Sequence, residues 1–403
     1  MHLFVAAQKA PFGEALLGVR IAHELRARGD RVAILAGESL SVLMDGTPFQ
    51  IIPLKTLSGF DKVVASTASQ VGADAIVLLD ATSTYMLLKT QRTDATFLRT
   101  VSRPVIGLDV WNARETGLVW DLGDTSYEHS AHSLEVTRRL IPVPFARPTG
   151  AQGLYDALPA AFHLDAGQRE AVRADFGVGT KERLLFLTSA LWQRPALQPH
   201  DGGRRLATAF PSLVGQLIER LGGDVRVVHV GPEAFPMPSL GDRYTWLPQR
   251  SPLRFAKILG AADLLLSFNF SATTIMSAIA GDVPVLLGVN SYAGSADDIA
   301  TRLPERPSEA LRVWLGQACP LPAFRVWPLG FHRYLAPLAK DNPYTTAFHT
   351  AEVLEEGAFV QDMRRLLFDD HARQALRASQ AAYRRVVATL PKAADVMDGY
   401  LKP

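Results

Sequence analysis

The feature that most constrains this chain is an alternation repeated along its length: short, almost wholly apolar runs separated by stretches with helical spacing. Residues 3–7, 31–35, 51–54, 75–80 and 104–109 read as strands, and 139–143 closes the series. Between the first two, Leu16, Leu17, Val19, Ile21, Ala22 and Leu25 recur at helical intervals until Gly29, after a turn at Pro11-Phe12-Gly13. A strand that is apolar on both faces must be covered on both faces, and a helix between two strands returns the chain in the same direction. The sheet is therefore expected to be parallel. A second series follows at 184–188, 225–230, 244–247, 263–267 and 283–287, with helices at 166–176, 206–221, 255–261 and 273–280 and helical spacing from 351 onward. The stretch 147–159, rich in Pro, Gly and Ala, reads as the start of an interdomain connection. The expected architecture is α/β: two Rossmann-like, doubly wound domains facing across a cleft. They would span 1–160 and 161–380, with a helix at 381–403 returning to the N-terminal domain. Open parallel sheets take ligands beyond the carboxyl ends of their strands, so the residues just after each strand are the candidates.

Composition removes several classes. With 48% hydrophobic and 20% charged residues in 403, the chain is not disordered, and it is too long for one ordinary core. A net charge of +2 gives no broad positive field for nucleic acid. The single cysteine, Cys319, excludes an intrachain disulfide and a cysteine metal cluster, which suits a reduced cytoplasm. No apolar run nears the about 18 residues that span a bilayer, and polar residues break the first nine too early for a signal peptide. The pair in Glu128-His129-Ser130-Ala131-His132 lacks a third ligand nearby in sequence, so no metal site is expected. Gly177-Val178-Gly179-Thr180-Lys181 precedes a strand and reads as a turn. Oligomeric state is not legible at this level.

Two segments of the second half carry the chemistry. Trp246-Leu247-Pro248-Gln249 ends one strand, and Ser267-Phe268-Asn269-Phe270-Ser271-Ala272-Thr273-Thr274 joins the next strand to its helix. Hydroxyls and open N–H groups at a helix start either cap the helix or bind a phosphate. Taken together, the stretch from Trp246 to Pro284 resembles the donor-site region of GT-B nucleotide-sugar glycosyltransferases, nearest in pattern to the branch that acts on small natural products. In that branch a Trp-x-Pro-Gln precedes a Gly-Thr-Thr-x-Glu-Ala loop and a Gly-Val-Pro strand. The matching stretches are Trp246-Leu247-Pro248-Gln249, Ala272-Thr273-Thr274-Ile275-Met276-Ser277 and Gly281-Asp282-Val283-Pro284. The resemblance implies that Trp246 stacks on the base and Gln249 lies beside the nucleoside. Thr273 and Thr274 would then hold the donor diphosphate, Asn269 and Ser271 are candidates for the donor side, and Ser189 and Arg194, after the first strand of that domain, are further diphosphate candidates. Three positions depart from the pattern: Met276 stands where the family has a carboxylate, Phe268 where it has a histidine and Phe270 where it has a glycine.

On the first domain, many relatives place a catalytic histidine directly after the glycine of the first loop; here Gly13 is followed by Glu14. A carboxylate can take the acceptor's proton if burial raises its pKa, and the alternative is an acid favoured by the helix dipole. Asp80 and Asp109, at two strand ends, are the other candidates for the base or for the group that orients it. Gly13, Trp111, Asn112 and Arg114 are candidates for the acceptor side. The implied activity is metal-independent sugar transfer from a nucleotide diphosphate sugar to a small-molecule acceptor, as in bacterial secondary metabolism, with no cofactor, nucleic acid or membrane involved. The alternatives are hydrolysis or epimerisation of an activated sugar on the same scaffold, or a catalytically silent binding protein.

Overall fold

A computed structural model of the chain describes residues 1–7, 12–37, 40, 47–82, 84, 88, 101–112, 118–121, 126–129, 136, 138–190, 201–248, 250–326 and 332–402. The chain divides into two compact units. The first comprises Met1–Leu118, His129–Pro159 and Arg385–Pro403, and the second Val119–Glu128 and Ala160–Arg384.

The first unit is built on β1 (His2–Ala6), α1 (Phe12–Ala27), β2 (Val32–Ala36), β3 (Gln50–Pro53), α2 (Phe60–Gln70), β4 (Ala75–Leu78) and β5 (Val105–Leu108). The short strands β6 (Leu118–Asp121) and β7 (Ser126–His129), nearly all of which fall in the second unit, form a two-stranded sheet by themselves, and β8 (Arg138–Val143) and β9 (Leu154–Asp156) complete the main sheet of the first. Its order is β3-β2-β1-β4-β5-β8-β9, with every neighbour parallel. The central strands β1, β2 and β4 are buried at every position, as continuous apolar runs require. Leu3, Val5, Leu35, Ile76 and Leu78 close one face against Phe60, Val64 and Ala68 of α2. Each such side chain withdrawn from water contributes about 1.5–3 kcal/mol.

Two details differ from the sequence reading. The helix α1 starts at Phe12 rather than near Leu16, so Gly13 and Glu14 lie in its first turn. The stretch read as a connection contains β9, whose Leu154 and Tyr155 pair with Ile141 and Pro142 of β8.

The second unit runs through α3 (Ala166–Ala174), β10 (Arg183–Thr188), α4 (Asp201–Glu219), β11 (Val225–Val230), β12 (Tyr244–Leu247) and α5 (Pro252–Ala261). It continues with β13 (Leu264–Ser267), α6 (Thr273–Ala280), β14 (Val285–Val289), α7 (Ala296–Arg302), α8 (Glu309–Ala318) and α9 (His332–Ala339), then β15 (His349–Glu352), α10 (Glu356–Phe368) and α11 (Asp370–Val387). The sheet order is β12-β11-β10-β13-β14-β15, again all parallel. Around Phe210, Leu213, Leu217, Phe268, Trp314 and Phe359 it carries the larger apolar core. At the amino end of β13 the buried Asp263 carboxylate accepts from Arg173 (2.7 Å), Arg169 (2.8 Å) and the Leu184 N–H (2.8 Å). Burial opposes its ionisation, but the Leu184 N–H and the two guanidinium groups prevail and hold its carboxyl below the usual range.

The last helix, α12 (Ala393–Leu401), belongs to the first unit. Asp395 and Asp398 pair with Arg28 at the end of α1, Lys392 with Asp156 of β9 (2.5 Å), and the Tyr400 hydroxyl donates to the Arg139 carbonyl (2.8 Å). Among the described residues, no helix is long and apolar enough to cross a membrane.

Candidate functional site

Both sheets reverse their direction of growth once. In the first unit this happens between β1 and β4, and in the second between β10 and β13. Loops that leave the carboxyl ends of two such strands diverge to opposite faces, and the gap between them is where open α/β sheets place ligands.

In the second unit the groups at that gap are mainly neutral hydrogen-bonding ones. After β13, Asn269 folds the loop on itself: its Oδ1 accepts from the Ser271 N–H (2.9 Å) and the Ser271 hydroxyl (2.8 Å). The turn delivers the chain to Ala272, an N-cap residue with no side chain to offer, so no side-chain hydrogen bond caps α6. Thr273 and Thr274 are partly exposed in its first turn, with their N–H groups at the positive end of the helix dipole. Arg325 lies alongside, its carbonyl accepting from the Phe270 N–H (3.2 Å) while its Nε is buried with no hydrogen-bond partner among the described residues.

Across the gap, Ser189 follows β10, and its hydroxyl lies 2.8 Å from Nε2 of His229 on β11. His229 is fully buried, and burial pushes its pKa down to about 3. Gly231 follows β11 close to this pair: a Cβ there would collide with Ser189 Oγ and lie 2.7 Å from His229 Nε2. The Gly231 carbonyl accepts from the Trp246 indole N–H (3.1 Å). The indole is thereby fixed beside the strand end while 37% of the residue stays exposed, a large share for tryptophan.

In the first unit the corresponding gap is acidic. Glu14, in the first turn of α1, is half-buried, and Asp80, just after β4, is buried. Burial and the Asp80 charge push the Glu14 carboxyl up to about 8, against a smaller opposing pull from its own backbone N–H. Asp109, after β5, is buried and paired with Arg139: one guanidinium nitrogen lies 3.1 Å from Asp109 Oδ2 and 3.0 Å from Asn112 Oδ1. Asn112 itself sits in the left-handed region at φ 51°. Trp111 is buried against Phe145, the rings stacked with centroids 6.1 Å apart.

Residues 21–402 match the family of unknown function DUF6365. The chain belongs to that family. No curated protein matches this DUF6365 member in sequence. Among solved structures it is similar to the glycosyltransferase VinC in complex with dTDP, at 14% identity and a TM-score of 0.53 over 99% of this chain and 98% of that one. It is also similar to a provisionally assigned UDP-N-acetylglucosamine 2-epimerase from Listeria monocytogenes, at 10% identity and a TM-score of 0.52, covering 93% and 90% of the two chains. A third is Alr3699/HepE from Anabaena, solved with UDP and glucose, at 13% identity and a TM-score of 0.50 over 99% and 97%. The fold of this DUF6365 member is thus that of the GT-B glycosyltransferases, as its Trp-x-Pro-Gln and Ala-Thr-Thr segments suggest.

Of the sequence-selected residues, Ser189, Trp246, Asn269, Ser271, Thr273 and Thr274 lie at the carboxyl end of one sheet of the DUF6365 member, and Gly13, Glu14 and Asp80 at the corresponding end of the other unit's sheet. Arg194, Gln249 and Arg114 lie outside the described residues, as does His132. The departures Phe268, Phe270 and Met276 are all buried core positions. Phe268 meets Phe210 edge-on (5.1 Å) and Phe270 meets Tyr344 (5.4 Å). Sequence reading missed His229, Gly231, Tyr244 and Arg325. A histidine inside the apolar strand Val225-Arg226-Val227-Val228-His229-Val230, followed by Gly-Pro, is the signal by which the first two could have been found.

Proposed function

We propose that this protein is a glycosyltransferase that moves a sugar from a nucleotide diphosphate sugar to a hydroxyl of a small-molecule acceptor, natural-product scaffolds being the favoured class, without a metal ion. The observation that carries this reading is the presence, at the carboxyl end of one sheet, of an uncapped helix start, the Ser189 hydroxyl and an exposed, tethered tryptophan. Open N–H groups and hydroxyls suit a diphosphate that gains charge as it leaves, and a fixed aromatic face suits a base. These groups would stabilise the leaving diphosphate without a metal ion.

Glu14 is the proposed base. A carboxyl held up to about 8 by burial and by Asp80 is matched to taking a proton near neutral pH. The acceptor oxygen gives its proton to Glu14 and forms the new bond to the anomeric carbon. The bond from that carbon to the diphosphate oxygen breaks, and the electron pair leaves with the nucleotide. Asp109, neutralised by Arg139, is less suited to the base role and is assigned to holding the loop that carries Trp111 and Asn112.

Calorimetry against uridine, thymidine, guanosine and adenosine diphosphates tests the reading. Binding of at least one is expected, and no binding to any at millimolar concentration overturns it. Activity insensitive to a chelator is expected as well. The burial of Phe268 and Met276, where the family pattern has polar groups, favours one rival, hydrolysis or epimerisation of the activated sugar, because fewer contacts are left to hold a specific hexose. Product analysis with and without an acceptor separates them, since the rival consumes donor alone.

A further inference from the structure

The Ser189–His229 contact raises a question that proton accounting answers. The Tyr244 hydroxyl oxygen already accepts from the Phe235 N–H (2.8 Å), and it lies 2.9 Å from His229 Nδ1. Its own proton therefore has one acceptor within reach among the described residues, Nδ1. The imidazole is neutral, so if Nδ1 accepts, the ring proton sits on Nε2 and is donated to Ser189 Oγ. With that oxygen occupied as an acceptor, the Ser189 proton has to point elsewhere, and Ser189 is partly exposed just past the carboxyl end of β10. The opposite arrangement, Nδ1–H donating to Tyr244, leaves the tyrosine proton without an acceptor among the described residues in a half-buried place, which is unfavourable. The relay is also built in tightly: Gly231 leaves room for Ser189 and Nε2, and the Phe235 ring covers the imidazole with centroids 4.5 Å apart.

We propose that Tyr244 and His229 are positioning residues that fix the Ser189 hydroxyl as a hydrogen-bond donor to an anionic phosphate oxygen at the carboxyl end of β10, and that Ser189 is not a nucleophile. The proposal rests on the donor-site reading above for the identity of the anion. The direction of the protons stands on the geometry alone. An Nε2–H imidazole cannot accept the serine proton, so the pair lacks the polarity of a serine–histidine nucleophile. What the relay supplies is a donor already oriented before the ligand arrives, so less freedom is lost on binding.

Nitrogen NMR of protein labelled at histidine, with His229 assigned by its loss in His229→Gln, reads the tautomer directly. A protonated Nε2 and a bare Nδ1, unchanged from pH 8 to pH 5, are expected; an Nδ1–H tautomer overturns the relay. A fluorophosphonate probe is expected to leave Ser189 unlabelled, and labelling at Ser189 also overturns it. For the anion, uridine and thymidine diphosphates are titrated into wild type, Ser189→Ala and Tyr244→Phe, whose ring is kept to preserve packing. Affinity is expected to fall about tenfold or more in Ser189→Ala and about threefold in Tyr244→Phe, where the hydroxyl stays but loses its orientation. If both nucleotides bind wild type and Ser189→Ala equally well, this inference fails while the donor-site reading stands. If neither binds wild type, the donor-site reading fails, and the tautomer and labelling results still decide the relay.

Discussion

The two units repeat one strand order and place opposite chemistry at the same point of it. Where the first sheet reverses, two carboxyl groups share a confined place, and one of them holds its proton to about 8. Where the second sheet reverses, the groups are hydroxyls, an amide turn, an open helix start and an imidazole kept neutral by burial. The backbone is nearly indifferent to this choice, because most of these groups sit at or just beyond the carboxyl ends of the strands, in loops and first helical turns, and only His229 is carried by a strand itself. A reversal point supplies a gap, and the first few loop residues decide whether it collects protons or anions.

The largest expected effect breaks the acidic side. Glu14→Gln keeps the shape and removes the base, and kcat is expected to fall about 10²–10⁴-fold with nucleotide affinity unchanged. A steady-state and calorimetric comparison checks it; a nearly full rate would move the base elsewhere. In wild type the rate is expected to rise with pH as Glu14 ionises, through about 8.

The pH dependence of stability sharpens the contrast through its sign. Glu14 binds its proton more tightly folded than unfolded, so its contribution is fully present below its ordinary value of 4.5 and is lost as pH rises through about 8. His229 does the reverse: its contribution is present above 6.5 and is lost as pH falls toward about 3. Urea unfolding at pH 5 to 9 is expected to show Glu14→Gln gaining on wild type as pH rises. His229→Gln, whatever its absolute stability, is expected to lose less than wild type on acidification below 6.5. Parallel pH curves for both variants and wild type would dissolve the contrast.

On the neutral side, Thr273→Ala removes a hydroxyl from an already uncapped helix start. Diphosphate affinity is expected to fall by about 1–3 kcal/mol if that hydroxyl meets a charged oxygen. An unchanged affinity would place the anion away from α6. The smallest effect belongs to Trp246→Ala, an expected loss of about 0.5–1.5 kcal/mol for nucleotides with no change for inorganic pyrophosphate, which has no base to stack. Equal losses for both would assign Trp246 a structural role through its bond to Gly231.

Much of this was legible before the fold. Runs such as Leu3-Phe4-Val5-Ala6-Ala7 and Asp263-Leu264-Leu265-Leu266 have few alternatives to a covered strand, and Ala272-Thr273-Thr274 sits where a phosphate site needs hydroxyls. The edge strands β9 and β15 were hidden because Leu154-Tyr155-Asp156 and His349-Thr350-Ala351-Glu352 are too short and too polar to show a period. The start of α1 was misplaced by a Pro-Phe-Gly segment that serves a turn or a first helical turn equally well. Asp80 and Asp109 looked alike as strand-end acids until the fold set Arg139 against Asp109 and Glu14 beside Asp80.

The sequence by itself determined the two parallel sheets, since apolar runs joined by amphipathic helices can satisfy their backbone and bury both faces in few other ways. The tertiary structure alone decided which polar residues meet. Ser189, His229 and Tyr244 are separated by 40 and 15 positions, and their hydrogen bonds exist because β10, β11 and β12 are neighbours in the sheet. Burial then supplies what no residue type carries with it: a carboxyl that keeps its proton and an imidazole that refuses one.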